Sequence, residues 1–172
     1  SRRNIVVTPF WSDGDGIQAI VRSLAAALAG PDAPDTPGKF GFAVDCGAAP
    51  VLSLVSADIR IERGPDGGLL IRPDGAATCA RATPGTVTGL ALELARWFLD
   101  TGGAPQGRGR MAAHIARGAV LPPVFTDASA IQSGVPVETG PAWWRRASWS
   151  HSNSASCAPK HCLCWPRPAR YA

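Results

Sequence analysis

No stretch of the chain reaches the 18 or so uninterrupted apolar residues of a membrane-crossing helix, so none of it reads as a membrane span. The early apolar run Ile5-Val6-Val7 gives way at Trp11-Ser12-Asp13, too soon for a secretory signal core. Cysteine is scarce and badly placed for disulfides. Cys46, Cys79, Cys157, Cys162 and Cys164 make an odd number, three of them crowded near the end. That is no disulfide framework, and a reducing cytoplasm is the expected compartment. Charge is thin at 17%, and no aromatic and basic stripe offers single-stranded nucleic acid a stacking platform. Nucleophile–base triads, phosphate loops and dinucleotide fingerprints are missing as well. The sequence has no initiating Met and opens directly on a strand-like run, which reads as an internal piece of a longer reading frame.

What is present suits one ordinary domain. At 172 residues and 45% hydrophobic, the chain can bury a core. Its 19 Gly and 16 Pro demand many loops and turns. A net charge of +4 suits an acidic small molecule and does not require nucleic acid.

The periodicities then order the elements. Ile5 to Phe10 reads as a short strand, and Ser12-Asp13-Gly14-Asp15-Gly16 as a turn that opens a helix. Ile17, Ile20, Val21, Leu24, Ala25 and Leu28 form one apolar stripe, stopped by Gly30-Pro31. Phe40, Phe42 and Val44 alternate as a half-buried strand does. Asp58 to Arg63 and Leu69 to Ile71 form a hairpin across Gly64-Pro65-Asp66-Gly67-Gly68. A second helix covers about Thr86 to Thr101 with Leu90, Leu94, Trp97 and Phe98 inward, and a third about Gly109 to Arg117. This order predicts an α+β fold, an antiparallel sheet with helices packed on one face.

Residues 131–172 differ in character. Four of the six Trp lie beyond Val137, among Ser, Cys, Pro and Arg with no period of 2 or 3.6. If Trp143-Trp144-Arg145-Arg146 is encoded TGG TGG CGG AGG, reading one base earlier gives Leu-Val-Ala-Glu, and GC-rich codons carry an amphipathic, helix-prone text onward. The tail is therefore read as irregular and out of frame, and residues 1–130 as the domain. Cys157, Cys162 and Cys164 with His151 and His161 resemble a zinc set only superficially, because Cys-Leu-Cys is one residue short of the usual spacing.

Thr36-Pro37-Gly38-Lys39-Phe40-Gly41-Phe42-Ala43-Val44 resembles the Leu-Pro-Arg-Lys-Phe-Lys stretch of sulfite and nitrite reductases. The strand at Ala57-Asp58-Ile59-Arg60, its partner at Asp66-Gly67-Gly68-Leu69-Leu70-Ile71, the helix at Leu90 to Leu99 and the basic segment Arg108 to Arg117 follow in that superfamily's order. Within it, Arg3-Asn4-Ile5-Val6-Val7-Thr8-Pro9 and Pro37 to Asp45 are similar to the precorrin-3B synthase branch. The likeness covers about Arg3 to Gly118.

It implies a piece of an iron–sulfur and iron-dependent oxidoreductase of aerobic cobalamin synthesis, which hydroxylates a tetrapyrrole with dioxygen. The cysteines of the family's 4Fe-4S cluster come later in the chain, so this piece is expected to bind no cluster and to be inactive alone. Its partners would be the tetrapyrrole and the missing halves of the same polypeptide. Two departures count against sulfite or nitrite reduction, which is kept as the alternative. The reductases' second Lys is here Gly41, and their glycine triplet after the hairpin is here Arg72-Pro73-Asp74-Gly75-Ala76. A second alternative is a non-catalytic binding module, since fold does not fix function.

The residue candidates are cations. Lys39, at a strand start, suits the acidic edge of a tetrapyrrole, or is a solvated lysine. Arg108 and Arg110 flank Gly109 before a helix, where guanidinium forks suit side-chain carboxylates, or form a basic loop. Arg3 has the same two readings. Cys46 and Cys79 are far apart and read as buried thiols, and His114 as a packed or surface histidine.

Overall fold

Five short strands pair side by side in the order in which the chain makes them. A computed structural model describes residues 4–47 and 49–127. The strands are β1 (Asn4–Val7), β2 (Gly41–Asp45), β3 (Ile59–Arg63), β4 (Leu69–Pro73) and β5 (Ala80–Ala82). Between them come α1 (Ile17–Ala29), after β1, and then, after β5, α2 (Val87–Asp100) and α3 (Met111–Ala116). The class is α+β. Residues 131–172 and Arg3 lie outside the described residues, and with them the readings made there.

The hairpin forms where the glycines predicted it. Gly64 donates to the Gly68 carbonyl (2.8 Å), Gly67 takes a φ of 78°, and the Asp66 carboxylate accepts the Gly68 N–H (3.0 Å). Asp15 sets the start of α1, accepting the Ile17 N–H (2.9 Å) on one oxygen and the Ser12 N–H (2.6 Å) on the other. Beyond Ala29 the Gly30 N–H closes on the Ala27 carbonyl (3.3 Å), and Pro31 ends the run.

Both long helices cover one face of the sheet. Ile17, Ile20, Leu24 and Leu28 of α1 and Val87, Ala91, Leu94, Ala95 and Phe98 of α2 are buried there with Phe42, Val44, Ile59, Ile61 and Ile71. Phe40 touches Phe42 edge-on (centroids 5.7 Å) and lies 5.0 Å from Phe98. Each such aromatic pair adds about 0.5–1.5 kcal/mol beyond its buried area.

Three expectations need correction. The sheet is mixed: β3–β4 and β4–β5 are antiparallel, but β1–β2 and β2–β3 are parallel. A parallel pair needs a crossover rather than a tight turn. The first crossover is α1. The second is the loop 46–58, which passes over the other sheet face, with Leu52, Val51 and Val55 packed on Ala43 and Ala57. That loop is also why β2 is buried along its whole length instead of on one side. Finally, β1 ends at Val7 and not Phe10. The Thr8 N–H still reaches the Val44 carbonyl (2.9 Å), but Pro9 has no N–H to give, and the Phe10 N–H turns to the Thr8 hydroxyl (3.3 Å).

The loop is held by charge. Asp45 accepts the N–H groups of Val51 (2.8 Å) and Leu52 (2.7 Å) on one oxygen. Arg60 donates to the carbonyls of Leu52 (3.0 Å) and Val55 (2.8 Å) and to Asp74 (2.7 Å).

Candidate functional site

The parallel strands β1, β2 and β3 all begin at one end of the sheet, and the segment before α3 is drawn to that end by a buried carboxylate. Asp58 is fully buried just ahead of β3. One of its oxygens accepts the Gly41 N–H at the start of β2 (2.9 Å). The other accepts Arg110 Nε (2.9 Å) and the Met111 N–H (2.8 Å). The Asp58 N–H donates to the Gly41 carbonyl (2.7 Å), and its own carbonyl takes the Asp74 N–H (2.9 Å). A carboxylate with three donors, one of them a guanidinium, offsets its own desolvation.

This linkage brings Lys39, two residues before Gly41, and the Arg108–Arg110 segment to the same rim. Lys39 lies in an exposed turn, and Arg108 is exposed. Asn4 at the head of β1 closes the rim through its side-chain amide on the Gly38 carbonyl (3.3 Å). Arg110 is largely committed to the fold. Its Nε holds Asp58, and its Nη2 donates to Ser56 Oγ (2.8 Å) and the Ala57 carbonyl (3.4 Å), while 37% of the side chain stays exposed.

Glycine geometry fixes the arginine segment. A Cβ on Gly109 would lie 1.9 Å from the Gly103 carbonyl oxygen, and one on Gly103 would lie 2.2 Å from the Phe98 ring. The chain after α2 therefore crosses itself at van der Waals closeness, possible only without side chains. On the other side of α3, a Cβ on Gly75 (φ 83°) would meet Ala112 Cα at 2.9 Å, so the β4–β5 turn also seats the helix.

Gly41, where a second cation in phase with Lys39 would stand, sits between strands. Its absent Cβ would lie 3.5 Å from the Asn4 carbonyl oxygen and 3.8 Å from Ala57 Cα.

The thiols are structural. Cys46 is buried at the end of β2 and donates to the Ile61 carbonyl (3.6 Å); burial pushes its pKa up to about 12, against a small opposing pull from Arg63. Cys79 is buried before β5, with its Sγ on the Asp127 carbonyl (3.3 Å), and burial raises its pKa as well. Among the described residues, no group of three or more His, Cys, Asp or Glu is placed to hold a metal ion. These residues do not fit an iron–sulfur cluster, which needs grouped thiolates. None of their helices is long and apolar enough to cross a membrane.

Sequence reasoning missed Asp58. The clean alternation from Asp58 to Arg63 marked a strand and gave Asp58 no role, yet Asp58 is fully buried and Arg60 is 6% exposed. The one available signal was an acidic residue heading a strand of otherwise β-forming types. No protein-family model, curated protein or solved structure matches the chain.

Proposed function

We propose that this chain is the substrate-side piece of an oxidoreductase of the precorrin-3B synthase kind, inactive alone, whose cationic rim holds the acidic side chains of a tetrapyrrole. The observation that supports this reading is Asp58, which ties Gly41, two residues after the exposed Lys39, to Arg110, two residues after the exposed Arg108. A large polyacid needs cations from more than one segment, and the rim draws them from the approach to β2 and the approach to α3. Asp58 fixes the arginine segment before any ligand arrives, so little ordering cost remains for binding. The cluster and iron chemistry of such an enzyme would belong to other parts of the polypeptide. Reduction of sulfite or nitrite is the weaker reading, because Gly41 offers no second cation beside Lys39.

The test is binding of an octacarboxylic porphyrin to the whole chain, followed by fluorescence at two salt concentrations. Lys39→Gln and Arg108→Gln should each weaken binding roughly tenfold, the equivalent of one charge-assisted hydrogen bond. Added salt should weaken binding too, and the porphyrin octamethyl ester should not bind. Unchanged affinity in the double variant would remove the rim from the reading.

A further inference from the structure

His114 lies in the last turn of α3 with 5% of its surface exposed, against Trp97 and Phe98 of α2 (ring centroids 5.3 and 5.5 Å). The roles of its two nitrogens follow from their neighbours. The Thr101 hydroxyl gives its single proton to the Trp97 carbonyl (2.7 Å). Toward His114 Nε2, also 2.7 Å away, that oxygen can then only accept, so Nε2 carries the hydrogen. In the neutral ring Nδ1 is a lone pair, and Arg117 Nη2 donates to it across 3.3 Å.

A second proton has no place in this arrangement. It would set an Nδ1–H against an Arg117 N–H, donor to donor and cation to cation, inside an aromatic pocket. Burial first, and the Arg117 charge second, hold the pKa of the imidazole below its ordinary 6.5. From α2 and the residue that caps it the ring meets Trp97, Phe98 and Thr101, none of them charged; at the end of its own helix it meets Arg117, whose charge is the one that acts on it among the described residues. Solvent can deliver the proton, because an open cleft of about 300 Å³ runs beside the ring between Thr101, Gly102, Arg117, Gly118 and Ala119.

The helix at stake is short. The six residues of α3 cannot be stable alone. Asp58 holds the N-terminal end, at Arg110 and Met111, and His114 holds the C-terminal end against α2.

We propose that His114 is a pH-sensitive latch: the neutral imidazole fixes the C-terminal end of α3 on α2, and its protonation frees that end and loosens the segment carrying Arg108 and Arg110. The latch is independent of which ligand the rim takes.

Amide hydrogen exchange between pH 8 and 5, corrected for the intrinsic pH dependence of exchange, tests it on the whole chain. Protection of residues 111–118 should fall by up to about tenfold per pH unit below 6.5 and stay lower than that of β2 and β3 at every pH. In His114→Gln, whose amide still donates to Thr101 but does not titrate, the profile should be flat. If that variant does not fold, Arg117→Gln serves: losing the neighbouring charge raises the histidine's pKa, and the fall should shrink. A flat wild-type profile, protection of residues 111–118 equal to that of β2 and β3 at every pH, or an NMR titration midpoint for His114 at or above 6.5 would each overturn the latch.

Discussion

Asp58 and Arg110 meet at 2.9 Å, and of the two it is the carboxylate that is wholly buried, while the arginine side chain keeps 37% of its surface in solvent. This asymmetry ranks two substitutions. Asp58→Ala strands the N–H groups of Gly41 and Met111, each at a cost of about 1–3 kcal/mol. Arg110→Ala leaves a carboxylate that still has both backbone donors, and should cost about 1–2 kcal/mol because only part of the pair's partners is lost. Urea unfolding measures both, and a larger loss in Arg110→Ala would reverse the assignment of anchor and anchored.

Global stability should also depend on pH through His114. Its folded pKa lies below the unfolded 6.5, so the stabilising contribution is complete above 6.5, where neither state binds the proton. As pH falls the unfolded chain is protonated first, and stability drops until the folded pKa is passed, by at most about 1.4 kcal/mol per pH unit for one proton. The difference between wild type and His114→Gln in urea midpoint, followed from pH 8 to 5, reports this. A wild type that gains on the variant as pH falls would have the wrong sign.

Two glycines should respond in opposite directions to alanine. Gly109→Ala pushes a methyl into the Gly103 carbonyl 1.9 Å away and should destabilise by at least the roughly 1–3 kcal/mol of ordinary overpacking. Gly89 is exposed in the first turn of α2 with nothing within 4 Å of its Cβ position. There alanine should stabilise by up to about 1 kcal/mol, the helix-propensity difference of an interior position. Thermal melts of both variants decide the matter, and a stable Gly109→Ala would mean that the 103–109 crossing can open to admit a methyl group.

Cys46 should resist alkylation. Its pKa of about 12, against an ordinary 9.0, cuts the thiolate fraction at pH 8 by about a thousandfold. Iodoacetamide labelling read peptide by peptide should leave Cys46 and the buried Cys79 unmodified in the native protein and modify both in urea. Rapid native labelling of Cys46 would contradict its burial.

Much of the local structure is legible in the sequence because its causes are local. The stripe from Ile17 to Leu28, the stop at Gly30-Pro31 and the Asp66-Gly67-Gly68 turn reappear within a residue or two. The direction of β2 relative to β3 was not legible, since nothing in the text of residues 46–58 says that Asp45 and Arg60 bind that loop back across the sheet. Nor was β5: Ala80-Arg81-Ala82 is too short to show alternation and takes its conformation from pairing with β4. Of the rim, the exposed cations Lys39 and Arg108 were readable as charges at element starts. The buried Asp58 that gathers them was not, because its worth lies in three donors contributed from residues 17 to 53 positions away.

The spatial order of the strands, β1 to β5, is the order of the sequence itself. No strand has to be threaded between two that are already paired. A ribosome releasing this chain from its N-terminus can therefore lengthen the sheet at a single growing edge, each new strand finding its predecessor in place and leaving none of the earlier pairings to be reopened.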